Sequence, residues 1–196
     1  MAARAEKKEN TRQCILDAAA ACFAEKGYSG CSVADIMDRA GVSKGCMYVH
    51  FKSKEELFNT MIQREHRTGA ERALKAANKK PYLDGIIWYM KECTKNAGIP
   101  MDHRLWTEVL AVAARDQSVK KTFIASEREG RKFLIDLLKK AAEAGEIDSS
   151  LDLELVSIWV FALGDGLIAR IADDPDFNLQ KGYKLFEKLI CRALRP

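Results

Sequence analysis

The chain has 196 residues, 47% of them hydrophobic and 31% charged, and a formal net charge of +4. That is enough apolar material for one medium core or two small ones, and too much for a disordered chain. The opening MAARAEKKENTR lacks the apolar stretch of a secretory leader, and no uninterrupted run of about 18 apolar residues marks a membrane span, so a cytoplasmic protein without a membrane partner is expected.

The six cysteines, at 14, 22, 31, 46, 93 and 191, form no CxxC pair and do not cluster with the three histidines. Neither a metal site nor a cofactor is expected from such spacing.

The pattern is helical almost throughout, and the prolines at 81, 100 and 175 fall where helices should break. Ile15, Ala19, Cys22 and Phe23 recur at helical spacing, which predicts a first helix over about 8–26 with Gly27 behind it. Ser32 and Asp35 resemble a capping box opening a second short helix, whose inward residues are Val33, Ile36 and Ala40. Gly41 makes a turn, and Ser43 caps a third helix over 44–50 with Met47 and Phe51 inward. Ser53 with Glu56 opens a fourth, continuing to about Asn78.

Further helices are predicted over about 81–97, with Pro81 in the first turn, and over 102–114, 118–144, 151–172 and 179–194. The fold class is therefore all-α, with about nine helices.

Two short helices joined by a glycine turn form a helix-turn-helix, whose second helix can enter the DNA major groove. Arg39, Lys44, Lys52 and Lys54 lie within 39–54 with no acid between them, a local patch suited to phosphate.

The segment GVSKGCMYVHFKSKEELF at 41–58, preceded by AEKGY at 24–28 and SVADI at 32–36, resembles the signature of the TetR family of bacterial transcriptional regulators. The resemblance is specific over about residues 10–60. It implies an N-terminal three-helix helix-turn-helix DNA-binding domain, residues 1–53, and a C-terminal helical ligand-binding and dimerisation domain, residues 54–196. The function implied is that of a DNA-binding transcriptional regulator, by family default a repressor, released from its operator by a small ligand. Its partners would be double-stranded, palindromic operator DNA, a small-molecule effector and a second copy of the chain. DGLIAR at 165–170 resembles the branch containing the choline-responsive betaine-pathway repressor. Cys46 and Val49 depart from the family pattern inside the third helix, so the operator sequence does not carry over.

The residues expected at DNA are Ser32, Ser43, Lys44, Gly45, Cys46, Tyr48, His50 and Lys54. Lys44 can reach guanine acceptors or a phosphate, Gly45 allows close backbone approach, and Cys46 offers a weak donor or an apolar contact to a thymine methyl. Tyr48 and His50 leave the inward stripe and, by the resemblance, meet phosphate or groove walls. Ser32 and Lys54 sit at helix starts, where free N–H groups favour phosphate.

The family fold implies a cavity among the fourth to seventh helices. Trp88, Met90, Cys93, Met101, Trp106, Val109 and Phe123 are candidate lining residues for a lipophilic effector, and equally ordinary core. Trp88 or Trp106 with Glu108 or Asp165 would suit a cationic one. The eighth helix, apolar on nearly all sides, and the ninth give a candidate dimer interface of Trp159, Leu163, Leu167, Tyr183, Phe186, Leu189 and Ile190; completing the monomer core is the other use of such a stripe.

Two other functions compete. Cys14, Cys22, Cys31 and Cys46 all fall in the DNA-binding part, so thiol oxidation could be the signal. A helical lipid-binding module or enzyme is the remaining alternative. The chain has no HExxH, GxSxG or P-loop, and no enzyme activity is expected.

Overall fold

The computed structural model describes residues 2–95 and 102–196, with side chains from residue 5 onward. Its elements are α1 (Ala2–Gly30), α2 (Val33–Ala40), α3 (Lys44–His50), α4 (Lys54–Ala76), α5 (Tyr82–Lys95), α6 (His103–Arg115), α7 (Gln117–Glu143), α8 (Leu153–Asp173) and α9 (Leu179–Leu194). No strand occurs among the described residues.

The chain groups into two compact units, Met1–Arg64 with Gly98–Phe123, and Glu65–Ala97 with Ile124–Pro196. The divisions fall inside α4 and α7. This differs from the division at 53/54 drawn from sequence: α6 and the head of α7 group with the helix-turn-helix.

In the first unit, Ile15, Leu16, Ala19, Phe23, Ile36, Met47, Phe51, Phe58 and Val109 are at most 2% exposed. Phe23 meets Phe58 edge-on with centroids 5.3 Å apart, and Tyr28 lies 4.6 Å from Phe58. The left-handed Gly27 (φ 70°) interrupts α1 as its sequence position predicts, but a further turn follows to Gly30.

The capping box of α2 is complete: Ser32 Oγ accepts from the Asp35 amide at 3.1 Å, and Asp35 Oδ2 accepts from the Ser32 amide at 2.8 Å. Gly41 (φ 64°) closes α2, its amide donating to Asp38 O, while the Val42 amide donates to Met37 O. That pair of bonds is a Schellman closure, and it needs the left-handed residue only glycine adopts freely. At α4, Ser53 Oγ accepts from the Glu56 amide as predicted, but the Glu56 carboxylate takes the Lys52 amide rather than that of Ser53.

The second unit packs α5 against α8 and α9. Its core includes Leu83, Ile86, Tyr89, Met90, Leu134, Leu138, Val160, Ile190 and Leu194. Long-range bonds hold the helix ends: the Leu83 amide to Glu146 Oε2 (2.8 Å), the Asp148 amide to Leu194 O (2.8 Å) and Tyr183 OH to Ile87 O (2.9 Å). α4 stops at Ala76, two residues before the predicted end, where the Asn78 and Lys79 amides tighten to Lys75 O and Ala76 O. α5 starts at Tyr82, and Pro81 stands one residue outside it, its carbonyl accepting from Gly85.

Only Ser157, Val160 and Ile168 of α8 are buried. By length and composition this helix is apolar enough to cross a membrane, although charged residues interrupt its apolar run. Asp165 and Arg170 lie within it.

Candidate nucleic-acid interface

α3 has seven residues, and its local chemistry fixes which of them face out. Ser43 Oγ accepts from the Cys46 amide at 3.3 Å, and the Phe51 amide closes the helix on Met47 O. Met47 and Phe51 are 0% and 1% exposed, so they anchor α3 to the unit. Lys44 and Gly45 are exposed, Tyr48 is 47% exposed, and Cys46 and His50 are half-buried. A Cβ built on Gly45 meets nothing within 4 Å, so this position opens directly onto solvent. His50 Nδ1 is shielded from solvent, which puts the ring at the edge of the outer face rather than upon it.

Ser32 and Ser43 are both exposed and both serve as caps. Lys26 Nζ lies 2.6 Å from Asp35 Oδ1, and this contact together with the Ser32 bonds holds the Asp35 carboxyl well below the usual carboxylate range.

Lys54 is placed differently from the phosphate-seeking cation expected at the start of α4. Its Nζ donates to Tyr28 O at 2.7 Å and Cys31 O at 3.0 Å, and it lies 4.5 Å from the Tyr28 ring centroid. The ammonium is committed to the chain's own carbonyls.

Sequence reasoning left Val49 out of the expected DNA contacts, yet it is the most exposed large hydrophobic among the described residues, at 68%. The signal was its position two residues from both Met47 and Phe51, which turns it away from the core.

The effector candidates divide between the units. Trp106 and Val109 are buried in the first, where Trp106 and Phe123 have ring centroids 6.0 Å apart. Met90 is buried in the second, Cys93 and Asp165 are half-buried there, and burial pushes the Cys93 thiol up to about 11. Met101 lies outside the described residues. The cation-binding suggestion loses two of its supports. Lys79 Nζ already sits 4.7 Å from the Trp88 centroid, and Glu108 Oε1 already accepts the Tyr28 amide at 2.6 Å.

Of the candidate interface residues, Trp159 is 40% and Leu189 51% exposed, while Leu163, Leu167, Tyr183 and Phe186 are half-buried. Ile190 is corrected: at 4% exposure it belongs to the core, because α9 turns this side of its stripe toward α5. Leu155, Ile158 and Leu185, which the sequence stripe missed, are also exposed, at 63%, 47% and 58%. A groove of about 260 Å³ runs along Leu151, Leu155, Val156, Trp159, Ala193 and Leu194.

Cys22 and Cys31 are 3% and 1% exposed, and burial pushes the Cys31 thiol up to about 12. A buried thiol is a poor oxidation sensor, and Cys31 is also held protonated. Thiol sensing is thus confined to Cys14, which is exposed, and Cys46.

Residues 15–61 match the family model described as bacterial regulatory proteins, tetR family, and residues 98–195 match that of the BetI-type transcriptional repressor, C-terminal. The chain is 27% identical over 190 residues to the HTH-type transcriptional repressor AcnR of Corynebacterium diphtheriae, covering 94% of this chain and 93% of that one. In fold it is similar to the fatty acid degradation regulator FadR of Bacillus halodurans, with a TM-score of 0.81, 21% identity and coverage of 92% and 94%. It is also similar to FadR of Bacillus subtilis solved with stearoyl-CoA, with a TM-score of 0.76, 22% identity and coverage of 91% and 97%.

Proposed function

Because the chain belongs to the TetR family of bacterial regulatory proteins, we propose that it is a cytoplasmic homodimeric repressor that leaves a palindromic operator when a small, largely lipophilic effector binds. The observation that carries the DNA-binding part is the outer face of α3. Lys44, Gly45 and Tyr48 stand clear of the protein on a helix pinned by Ser43, Met47 and Phe51. Such a helix presses its exposed side into the major groove, while Lys44 and Lys52 meet acceptors or phosphates.

Dimerisation is supported by the apolar side chains that α8 and α9 leave in solvent: Leu155, Ile158, Trp159, Leu185 and Leu189. Exposed apolar side chains on these two helices suit an interface, and a twofold contact would place two copies of α3 on two half-sites. The lipophilic effector is supported by the apolar and aromatic candidates on α5 to α7 and by the acyl-CoA ligand of the Bacillus subtilis protein of like fold. An effector releases DNA only to the extent that it binds the non-operator arrangement of the dimer more tightly. α4 contributes residues to both units and is the natural element to carry that change.

The test is operator selection from random duplex DNA with purified protein, followed by displacement with a panel of acyl and other lipophilic compounds. An enriched sequence with two half-sites about one or two helical turns apart is expected. Failure to enrich any sequence at moderate salt would reject the reading. The double variant Trp159→Glu with Leu189→Glu should sediment as a monomer and lose operator affinity.

A further inference from the structure

We propose that Val49 is a specificity-determining residue of α3 that reads the C5-methyl group of a thymine in each operator half-site. The inference rests on the repressor reading above and names a contact within it.

The geometry of a short helix carries the argument. At 3.6 residues per turn, successive side chains are about 100° apart. Taking Met47 as the core direction, Gly45 and Val49 both fall about 160° away, directly opposite the core, with Cys46 and Tyr48 about 100° away on the two sides. The burial in the structure agrees: Met47 is 0% exposed, Tyr48 47% and Val49 68%. Gly45 and Val49 are four residues apart, so they form one ridge.

Gly45 contributes no side chain to that ridge, and the space where its Cβ would project is open. Helical side chains lean toward the helix N-terminus, so Val49 leans along this ridge without filling the open space at Gly45. This ridge is therefore low at one end and ends in a single branched apolar group at the other. A low ridge lets the helix axis approach the groove floor closely, and Val49 is then the side chain that first meets the base edges.

Valine has no donor or acceptor. In the major groove, the base-edge group it can recognise is the thymine methyl, since the other edge groups are polar. Exposed apolar residues are often of no consequence when isolated. Here the residue lies opposite the core on a helix whose flank presents Lys44 and Tyr48, within a stretch from 39 to 54 that carries only basic charges. That combination suits a polyanion with an apolar mark on it.

The experiment compares wild type, Val49→Ala and Val49→Thr on the selected operator, with each thymine in turn replaced by uracil, which removes only the methyl. One half-site thymine should be sensitive in wild type, losing about fourfold in affinity per half-site for one buried methyl. Val49→Ala should bind thymine and uracil operators within about twofold of each other while keeping the wild-type melting temperature. Val49→Thr, which keeps one methyl, should retain part of the preference. If no thymine is sensitive, or if the sensitivity survives in Val49→Ala, the assignment of Val49 is overturned while the repressor reading stands. If no operator is enriched at all, both fall together.

Discussion

Lys54, the first residue of α4, donates its Nζ hydrogens to the carbonyls of Tyr28 and Cys31 at 2.7 and 3.0 Å, and so ties the start of α4 to the end of α1. The cation is spent inside the protein. Lys54→Met should therefore lower the unfolding free energy by about 1.5–3 kcal/mol, the range for hydrogen bonds made by a charged group. The slope of log affinity against log salt on operator DNA should stay as in wild type. Lys44→Ala should do the reverse, keeping stability and reducing the slope by about one per protomer, about two for the dimer. A reduced slope for Lys54→Met would return this lysine to the phosphate-binding set.

Glu108 of α6 receives the Tyr28 amide at 2.6 Å, eighty residues away in sequence. Its Oε1 also lies 3.2 Å from where a Cβ on Gly27 would sit, so the carboxylate closes over the break in α1. Glu108→Ala leaves a half-buried amide without its acceptor and should cost about 1–3 kcal/mol in urea unfolding, whereas Glu108→Gln keeps a carbonyl acceptor and should cost less. Equal losses for the two variants would show that the charge, not the acceptor, matters.

Gly85 sits in α5 where a Cβ would lie 2.6 Å from Ala76 O, the last residue of α4. No flexible side chain can yield there, because the obstacle is backbone. Gly85→Ala should destabilise the second unit by about 1–3 kcal/mol despite the better helix propensity of alanine. A stabilised variant by calorimetry would mean that the end of α4 shifts freely.

His66 is buried in the second unit with Nδ1 2.8 Å from Ser126 Oγ, and burial lowers its pKa to about 4. The unfolded chain takes up this proton near pH 6.5 and the folded chain only near 4, so the unfolded state binds more protons between those values. The stability linked to His66 is full above about pH 6.5 and is lost as pH falls toward 4. Between pH 7 and 5 the loss should be about 2 kcal/mol. His66→Gln should remove that part of the pH dependence of the urea midpoint; an unchanged dependence would place the titration elsewhere.

What the sequence disclosed depended on distance along the chain. Ser32 with Asp35, Gly41, and Ser43 with Cys46 act within three to five residues, so their roles are written locally and the helix-turn-helix is legible from them. The partners of Lys54 are 23 and 26 residues away and that of Tyr28 is 80 away, and no local pattern announces them. Periodicity on α9 shows an apolar stripe but not what covers each side, which is why Leu189 is exposed and Ile190 buried. On α3 the same periodicity turns Tyr48 outward, whereas His50 is half-buried and Val49, left out of the expected contacts, is exposed.

The grouping of α6 with the helix-turn-helix has a practical consequence for engineering. A hybrid regulator made by grafting residues 1–53 onto another effector domain would strand the Tyr28 amide without Glu108 and the Tyr28 and Cys31 carbonyls without Lys54. The portable DNA-reading cassette is discontinuous. A graft that carries residues 1–64 together with 98–123 moves an intact body, and one cut at the familiar motif boundary moves a fragment of it.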